Sequence, residues 1–179
     1  MRLLIVSGSR ADSGLLEWPV KVLTDDPAFE VTVEKIWNYS ASHAQRHVWR
    51  LLDVPRPPDA MLVLGDRFEI MAAVFAAHLQ RVPIIHIAGG DVTEGSYDDA
   101  MRDCVSRMAS IHFVTSTSAL ARLSHLGYRN VHLVGNPGYD YIHNAPWRSA
   151  RPWPEPYVVV NYQPETLDGT NEISSVIAS

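Results

Sequence analysis

The 179-residue chain is 46% hydrophobic and carries a formal net charge of −5 at pH 7. This length and composition allow one ordinary globular domain with a substantial core. The acidic balance, with no basic run, argues against a nucleic-acid partner. The single cysteine, Cys104, excludes an internal disulfide, and the N-terminal apolar run is too short for a signal peptide or a membrane span. We therefore expect a cytoplasmic protein with no membrane association.

Short apolar runs alternate along the chain with segments that have helical periodicity. The predicted strands are residues 3–6, 31–36, 61–64, 83–88, 111–115 and 131–134. The predicted helices are a first one capped by Asp12 or Ser13, a short one within 37–53, and later ones at 68–79, 97–108, 118–126 and 135–142. This alternation predicts an α/β fold with a Rossmann-like, doubly wound parallel sheet.

Two of these helices also have predicted buried faces. In the third helix the expected core positions follow i, i+3, i+7 spacing and are Phe68, Met71, Phe75 and Leu79. In the fourth helix, Cys104 is expected to face the core and Arg102 to face solvent, where it could form an i, i+4 pair with Asp98.

The sequence changes character beyond residue 144. Residues 145–156 contain four prolines and two tryptophans, which predicts a stiff linker. Residues 157–162 then predict a strand, followed by the beginning of a helix. Since one strand and part of a helix cannot bury a core, we expect an N-terminal domain at 1–144, a Pro-rich linker at 145–156, and the start of an incomplete second domain at 157–179.

Polar residues follow the carboxyl ends of three predicted strands. The first strand leads into the loop 7–12, the third into Gly65, Asp66 and Arg67, and the fourth into the glycine-rich acidic loop 89–95. The carboxyl ends of parallel strands share one edge, where open α/β sheets bind their ligands. The predicted site is therefore a crevice at this edge.

Each of these segments also has a simpler interpretation. Backbone N–H groups of loop 7–12 together with Arg10 can bind a phosphate, or the loop can be only a tight turn. Asp66 can act as a base or bind a sugar hydroxyl, or it can cap the next helix. Asp91 and Glu94 can act as acid and base, or belong to an acidic surface loop.

The charges at the start of the fourth helix have a structural explanation as well. Asp98 and Asp99 favour the positive end of the helix dipole without any catalytic role. His43 and His47 have the i, i+4 spacing of metal ligands but no third ligand nearby in the sequence, so no metal site is predicted.

Five motifs, taken together and in order, resemble the UDP-N-acetylglucosamine 2-epimerase family, most closely its hydrolysing branch, which forms N-acetylmannosamine for sialic-acid pathways. They are GSRAD, VLGDRFEIMAA, PIIHIAGGDVTEG, HFVTS and VGNPGYD, and they lie between residues 2 and 142, with a weaker echo at 158–166. The resemblance implies a GT-B-like fold, two Rossmann-like domains with a UDP-sugar in the cleft between them. It also implies anti elimination of UDP through a 2-acetamidoglucal, hydration with inversion at C2, and no nicotinamide or other cofactor.

The resemblance also implies roles for particular residues. The implied catalytic residues are Asp66, Asp91, Asp98 and Asp99, and the implied substrate-binding residues are Gly8, Arg10, Arg67, His86, Gly89 and Gly90. Two positions depart from the family pattern: Ala88 replaces an acidic residue that many members carry, and Gln163 replaces a histidine of the second domain.

The expected partners are a UDP-sugar and either further copies of the chain or a complementary C-terminal domain. Two other functions stay open from the sequence: a non-catalytic module that binds a nucleotide sugar or a partner, motivated by Ala88 and Gln163, and a GT-B-type glycosyltransferase fragment.

Overall fold

A computed structural model describes residues 1–144 and 155–161 of the chain. Within these residues, six strands and six helices alternate along the sequence. The strands are β1 (Arg2–Ser7), β2 (Glu30–Lys35), β3 (Ala60–Leu64), β4 (Ile84–Ile87), β5 (Ile111–Val114) and β6 (Val131–Leu133). The helices are α1 (Arg10–Asp25), α2 (Ala41–Leu52), α3 (Phe68–Leu79), α4 (Asp99–Met108), α5 (Thr117–His125) and α6 (Pro137–Asn144).

All six strands are parallel and lie in the order β2-β1-β3-β4-β5-β6, which confirms the predicted doubly wound sheet. Strand β1 pairs with β2 on one side and with β3 on the other. The strand order therefore reverses between β1 and β3. Ligand crevices of open α/β sheets form at the carboxyl end of such a switch point.

Apolar residues cover both faces of the sheet. Val6, Met61 and Val63 belong to a core cluster completed by α2, α3 and Val105 of α4. On the opposite face, alternate residues of the same strands pack with Leu16 of α1. This alternation follows from the two-residue period of a strand and explains why β3 is an uninterrupted buried run.

The predicted buried face of α3 is wrong at two of its four positions, whereas Met71 packs against the core cluster and Phe68 is partly buried. The side chains of Phe75 and Leu79 are 43% and 51% exposed, whereas Ala73, Val74 and Ala77 are buried. Because α3 is apolar around most of its circumference, periodicity does not distinguish the two faces. Small residues lie on the inner face because they allow the helix to approach its neighbours closely.

Two further local predictions are corrected. Ser9, and not Asp12 or Ser13, is the N-cap of α1, and its side chain accepts a hydrogen bond from the backbone of Asp12. In α4, Cys104 is exposed and Arg102 is buried, the reverse of the prediction. The carboxylates that surround Arg102 explain this reversal, as described below.

The strand predicted at 157–162 does not form in its described part, since residues 157–161 adopt neither helix nor strand. None of the six strands of the sheet pairs with this segment, and Val158 is 88% exposed. The linker residues 145–154, Gln163 and the helix expected after it lie outside the described residues. Among the described helices, none has the length and apolar character required to cross a membrane.

Candidate active site

The loop between β1 and α1 lies at the carboxyl edge of the sheet, beside the switch point where a ligand crevice is expected. Arg10 is the first residue of α1; its side chain is exposed and forms no hydrogen bond within the described part of the chain. Gly8 packs against α3, and a Cβ there would lie 2.9 Å from Cγ1 of Ile70. Glycine at position 8 therefore lets the loop contact the first turn of α3, while Arg10 remains available to a ligand.

Asp12 lies behind this loop. Asp12 is 9% exposed, and its Oδ2 is buried with no hydrogen-bond partner among the described residues. Burial raises the pKa of the Asp12 carboxyl, whereas the hydrogen bond from Ser9 and the charge of Arg67 act in the opposite direction. Asp12 is thus a buried carboxyl group next to the switch point, a feature that the sequence analysis considered only as a helix cap.

Asp66 follows β3 at the centre of the crevice. The N-cap of α3 is Arg67, without a side-chain capping bond, so Asp66 does not cap the helix. Its Oδ2 instead accepts a hydrogen bond from Nη2 of Arg102, and the two side chains form a salt bridge in which they are 17% and 8% exposed. Oδ1 has no hydrogen-bond partner in the described residues and remains available.

Arg102 joins three segments of the site. Its Nη1 donates to the backbone oxygen of Asp91, at 2.7 Å, and to Oδ1 of Asp99. Its Nη2 donates to Asp66 and, at 3.1 Å, to Oγ1 of Thr93. All four N–H groups of the two Nη atoms therefore have acceptors. This saturated set of bonds explains the burial of an arginine that helical periodicity places in solvent.

Asp99 and Asp91 are bound by protein groups. Both oxygens of the Asp99 carboxylate accept from the backbone N–H of Thr93, at 3.1 and 3.2 Å. Both oxygens of the Asp91 carboxylate lie within 2.9 Å of Oγ1 of Thr115. These two predicted catalytic residues thus hold the loop between β4 and α4 in place. Glu94, in the same loop, is exposed.

Asp98 differs from its neighbour Asp99. Its only side-chain hydrogen bond in the described residues comes from the hydroxyl of Ser96, at 3.3 Å. Burial raises the pKa of Asp98, and the negative charge of Asp66 raises it further. A carboxyl group that keeps its proton to higher pH is suited to proton donation, and Asp98 is such a group at the carboxyl edge of the sheet.

His86 does not fit its expected contact with substrate. It is fully buried, with Nε2 2.8 Å from the backbone oxygen of Gly65 and Nδ1 3.0 Å from Oγ of Ser106. A carbonyl oxygen can only accept, so Nε2 carries the proton and Nδ1 accepts from Ser106. Burial lowers the pKa of His86 to about 4, and the ring is neutral at neutral pH. His86 therefore fixes the ends of β3 and β4 from behind.

Gly89 and Gly90 likewise contact protein instead of an open surface. A Cβ at Gly89 would lie 2.8 Å from Oγ of Ser106, and one at Gly90 would lie 2.9 Å from the backbone oxygen of Ala119. Gly90 also has a positive φ of 79°. Glycine at both positions therefore lets the loop pack closely on α4 and α5.

Ala88 is the residue between β4 and these glycines. It has a φ of 65°, a left-handed conformation that residues with a Cβ rarely adopt. It is half-buried and packs against the core cluster of Leu62, Leu64 and Ile87. Ala88 is therefore a half-buried residue in a left-handed conformation at the position where the resemblance implies an acidic residue.

The structure brings Asp66, Asp91 and Asp99 around one guanidinium, and Arg67, Asp12 and Asp98 interact electrostatically beside them. Helical periodicity did not predict Arg102 as the central contact, because its acceptor Asp66 is distant in the sequence. The one available signal was the position of Arg102 on the same helix face as Val105 and Ser106. Within residues 1–144 and 155–161, no three His, Cys, Asp or Glu side chains are arranged to hold a metal ion.

The fold and this crevice define a Rossmann-like domain of the kind that forms half of a GT-B-like structure. The sequence profile of the UDP-N-acetylglucosamine 2-epimerase family matches residues 46–178. The chain belongs to this family.

Individual relatives agree with this assignment. The chain is 37% identical over 87 residues to a hydrolysing UDP-N,N'-diacetylbacillosamine 2-epimerase of Legionella pneumophila, a match that covers 48% of the chain and 23% of that relative. It is also 37% identical over 70 residues to a hydrolysing GDP/UDP-N,N'-diacetylbacillosamine 2-epimerase of Campylobacter jejuni, covering 39% and 18% of the two chains.

Among solved structures, the UDP-GlcNAc 2-epimerase of Neisseria meningitidis bound to UDP-GlcNAc is similar, with a TM-score of 0.74 at 20% identity. The similarity covers 80% of this chain and 48% of that one. The chain therefore spans about half the length of this structure, and at this identity the comparison shows the fold alone.

Proposed function

We propose that this chain is the N-terminal half of a hydrolysing UDP-N-acetylglucosamine 2-epimerase that releases UDP and forms N-acetylmannosamine. The observation that supports this most strongly is the salt bridge of Arg102 with Asp66, since it holds the β3 and β4 loops together at the switch point. Family membership gives the reaction class, and the crevice offers carboxyl groups suited to its proton transfers.

The reaction needs two proton movements. A base removes the proton from C2 of the sugar while the C1–O bond to UDP breaks, which gives a 2-acetamidoglucal. Water then adds its oxygen at C1, and an acid delivers a proton to the opposite face of C2, so that C2 is inverted. Neither step changes the oxidation state of the sugar and UDP taken together.

Asp66 and Asp98 are our candidates for these steps. Asp66 pairs with Arg102 through one oxygen and retains Oδ1 for substrate, as a base requires. Asp98, whose pKa is raised by burial, is the candidate proton donor. Arg10 and Arg67 are the candidate groups for the diphosphate, because guanidinium groups bind phosphate oxygens in a fork.

The sugar could be UDP-N-acetylglucosamine or UDP-N,N'-diacetylbacillosamine, which the names of the Legionella and Campylobacter relatives specify. Both are nucleotide-linked 2-acetamido sugars and allow the same elimination. We favour the first on the motif resemblance, and a direct comparison of the two substrates decides between them.

The test is UDP release in D2O by this chain combined with a second domain of the family. We expect N-acetylmannosamine that carries deuterium at C2, together with a large loss of rate for Asp66→Asn. Release of UDP that is insensitive to this substitution, or a product without deuterium at C2, would contradict the mechanism.

A second candidate function is a non-catalytic module that binds a nucleotide sugar. The observation that favours it is Ala88, whose half-buried side chain packs on the core where many members carry an acid. Saturable binding of UDP-N-acetylglucosamine without turnover, by the chain combined with a second domain, would support this alternative.

We also propose that the chain is cytoplasmic and that it self-associates. Phe75 and Leu79 expose apolar surface on α3, and Trp49 on the adjacent α2 is 38% exposed. Such patches often mark protein contacts. Sedimentation over a range of concentrations tests this, and a strictly monomeric species at high concentration argues against it.

A further inference from the structure

Glu69 is an acid in the first turn of an otherwise largely apolar helix, α3, and its side chain is only 1% exposed. It bonds the side chain of Arg67 through two contacts. Nε of Arg67 donates to Oε2 at 3.2 Å, and Nη2 donates to Oε1 at 3.0 Å. The arginine itself is 45% exposed. The salt bridge therefore connects a buried carboxylate to a guanidinium that reaches the surface.

Stabilisation of α3 does not require this arrangement. An acid that only favoured the helix dipole would do so from a solvated position, where its charge keeps its water. A buried charge is costly unless a partner compensates it, and an apolar residue in its place is often at least as stable. The burial of Glu69 therefore points to a role that acts through Arg67.

The two bonds determine how Arg67 is oriented. A bidentate contact fixes the plane of the guanidinium as well as its position. Cζ of Arg67 also lies over the ring of Phe68, 5.8 Å from the ring centroid. Nε and one N–H of Nη2 are occupied, and Nη1 has no hydrogen-bond partner within the described residues.

The charge of Arg67 lies in the crevice. It interacts electrostatically with Asp12, behind the β1–α1 loop, and with Asp98, at the start of α4. Contact of Gly8 with Ile70 brings that loop against the same turn of α3. Arg67 therefore has an Nη1 without a hydrogen-bond partner in the described residues, within electrostatic range of carboxylates on both sides of the switch point.

We propose that Glu69 is a positioning residue that holds Arg67 with its Nη1 edge toward the crevice, where it binds a phosphate of the UDP group. This inference rests on the proposed function and gives a role to a residue for which the motif resemblance implies none. Glu69 itself does not touch the ligand; it sets the geometry of the group that does.

The first variant is Glu69→Gln, tested by calorimetric titration of the full chain with UDP and by thermal unfolding. Glutamine preserves the size of the side chain but loses the charge and the bidentate contact. We expect roughly tenfold weaker UDP binding, the scale of one charge-assisted bond, without a lower Tm, since the arginine left behind is solvated. A purely structural role predicts the reverse, a lower Tm with unchanged affinity.

The second part is a double-mutant cycle with Arg67→Ala. This substitution leaves Glu69 buried without its partner, so we expect a lower Tm as well as weaker binding. Adding Glu69→Gln to it should restore the Tm and weaken UDP binding no further, because Glu69 acts only through Arg67. Glu17→Gln, at an exposed position of α1, is the matched control and should change neither quantity.

The outcomes separate this inference from the function on which it rests. UDP binding that is equally tight in wild type and Glu69→Gln overturns the positioning role and leaves the proposed function intact. Additive losses of affinity in the cycle also overturn it. If the folded wild-type chain fails to bind millimolar UDP, the proposed site fails, and the role of Glu69 fails with it.

Discussion

Arg102 of α4 and Asp66, which follows β3, form a buried salt bridge across the centre of the crevice. The two residues are 36 positions apart in the sequence, and the bond fixes the start of α4 against the carboxyl end of the sheet. The loop that carries Asp91, Asp98 and Asp99 is thereby held beside Asp66.

Arg102→Met should destabilise the fold more than an ordinary surface substitution. It leaves the carboxylates of Asp66 and Asp99 without their shared partner, and breaking a buried ion pair costs roughly 3 kcal/mol. Urea unfolding measures this change. Arg102→Lys is the comparison variant, since lysine retains the charge but cannot make four directed bonds; it should recover only part of the loss. Equal stability of the Met variant and wild type would contradict the structure.

Gly90→Ala should be more harmful than Gly65→Ala. Both glycines have φ near 80°, so both alanine variants carry the same left-handed strain, on the order of 1 kcal/mol. A Cβ at Gly90 also lies 2.9 Å from Ala119 and Leu123, whereas nothing lies within 4 Å of one at Gly65. The difference in unfolding free energy between the variants therefore isolates the packing contribution, and we expect it to exceed about 1 kcal/mol.

Stability should fall as the pH drops below neutral, because His86 is buried in its neutral form. Its pKa is lowered to about 4 in the folded protein from 6.5, so the unfolded chain binds a proton that the folded chain does not. The contribution of neutral His86 to the free energy of unfolding is fully present above pH 6.5 and is lost progressively as the pH falls to about 4. The total loss is roughly 3 kcal/mol.

His112, next to His86 on β5, has a pKa lowered by burial and adds to the same trend. Chemical unfolding at a series of pH values checks the prediction. His86→Gln should have a shallower dependence between pH 6.5 and 4. An identical slope in the variant would show that His86 is not the group that titrates.

Ala88→Gly should stabilise the chain by roughly 0.5–1 kcal/mol, because glycine adopts the observed φ of 65° without a steric penalty. The same substitution at Ala121, an exposed residue in the middle of α5, should instead destabilise by a similar amount. Opposite signs at the two positions, measured by thermal unfolding, would establish that Ala88 is strained.

The pH dependence of the reconstituted activity should report Asp98. Since burial and the charge of Asp66 raise the pKa of Asp98, a step that needs it protonated should continue to higher pH than for an ordinary aspartate. In the plot of kcat/KM against pH, Asp98→Asn should remove the fall in rate that accompanies deprotonation of Asp98. Asp103→Asn, at an exposed position of the same helix, serves as control and should leave the profile unchanged.

The sequence predicted the sheet and the edge that carries the site because both follow from local patterns. Strand β3 is an apolar run followed by Gly65 and Asp66, and β4 is an apolar run that leads into Gly90 and Asp91. The position of Asp66 at the switch point then follows from topology, without knowledge of any side-chain contact.

What the sequence did not predict depends on contacts between distant residues. Helical periodicity places Arg102 in solvent because it treats every charged side chain as exposed. In the structure, Asp66 and Asp99 compensate its charge. For α3, periodicity places Phe75 and Leu79 in the core although they are exposed, because the helix is apolar around most of its circumference. His86 is equally instructive, since a motif match cannot distinguish a histidine that binds substrate from one that supports the loop.

The most direct test of the site is nuclear magnetic resonance titration of the chain with UDP-N-acetylglucosamine. We expect the largest shift changes at residues 8–10, 66–67 and 91–99, at the carboxyl edge of the sheet, and a loss of these changes in Arg67→Ala. Shift changes centred instead at the opposite edge, around Arg2 and Arg56, or the absence of saturable changes in the folded chain, would contradict the proposed site.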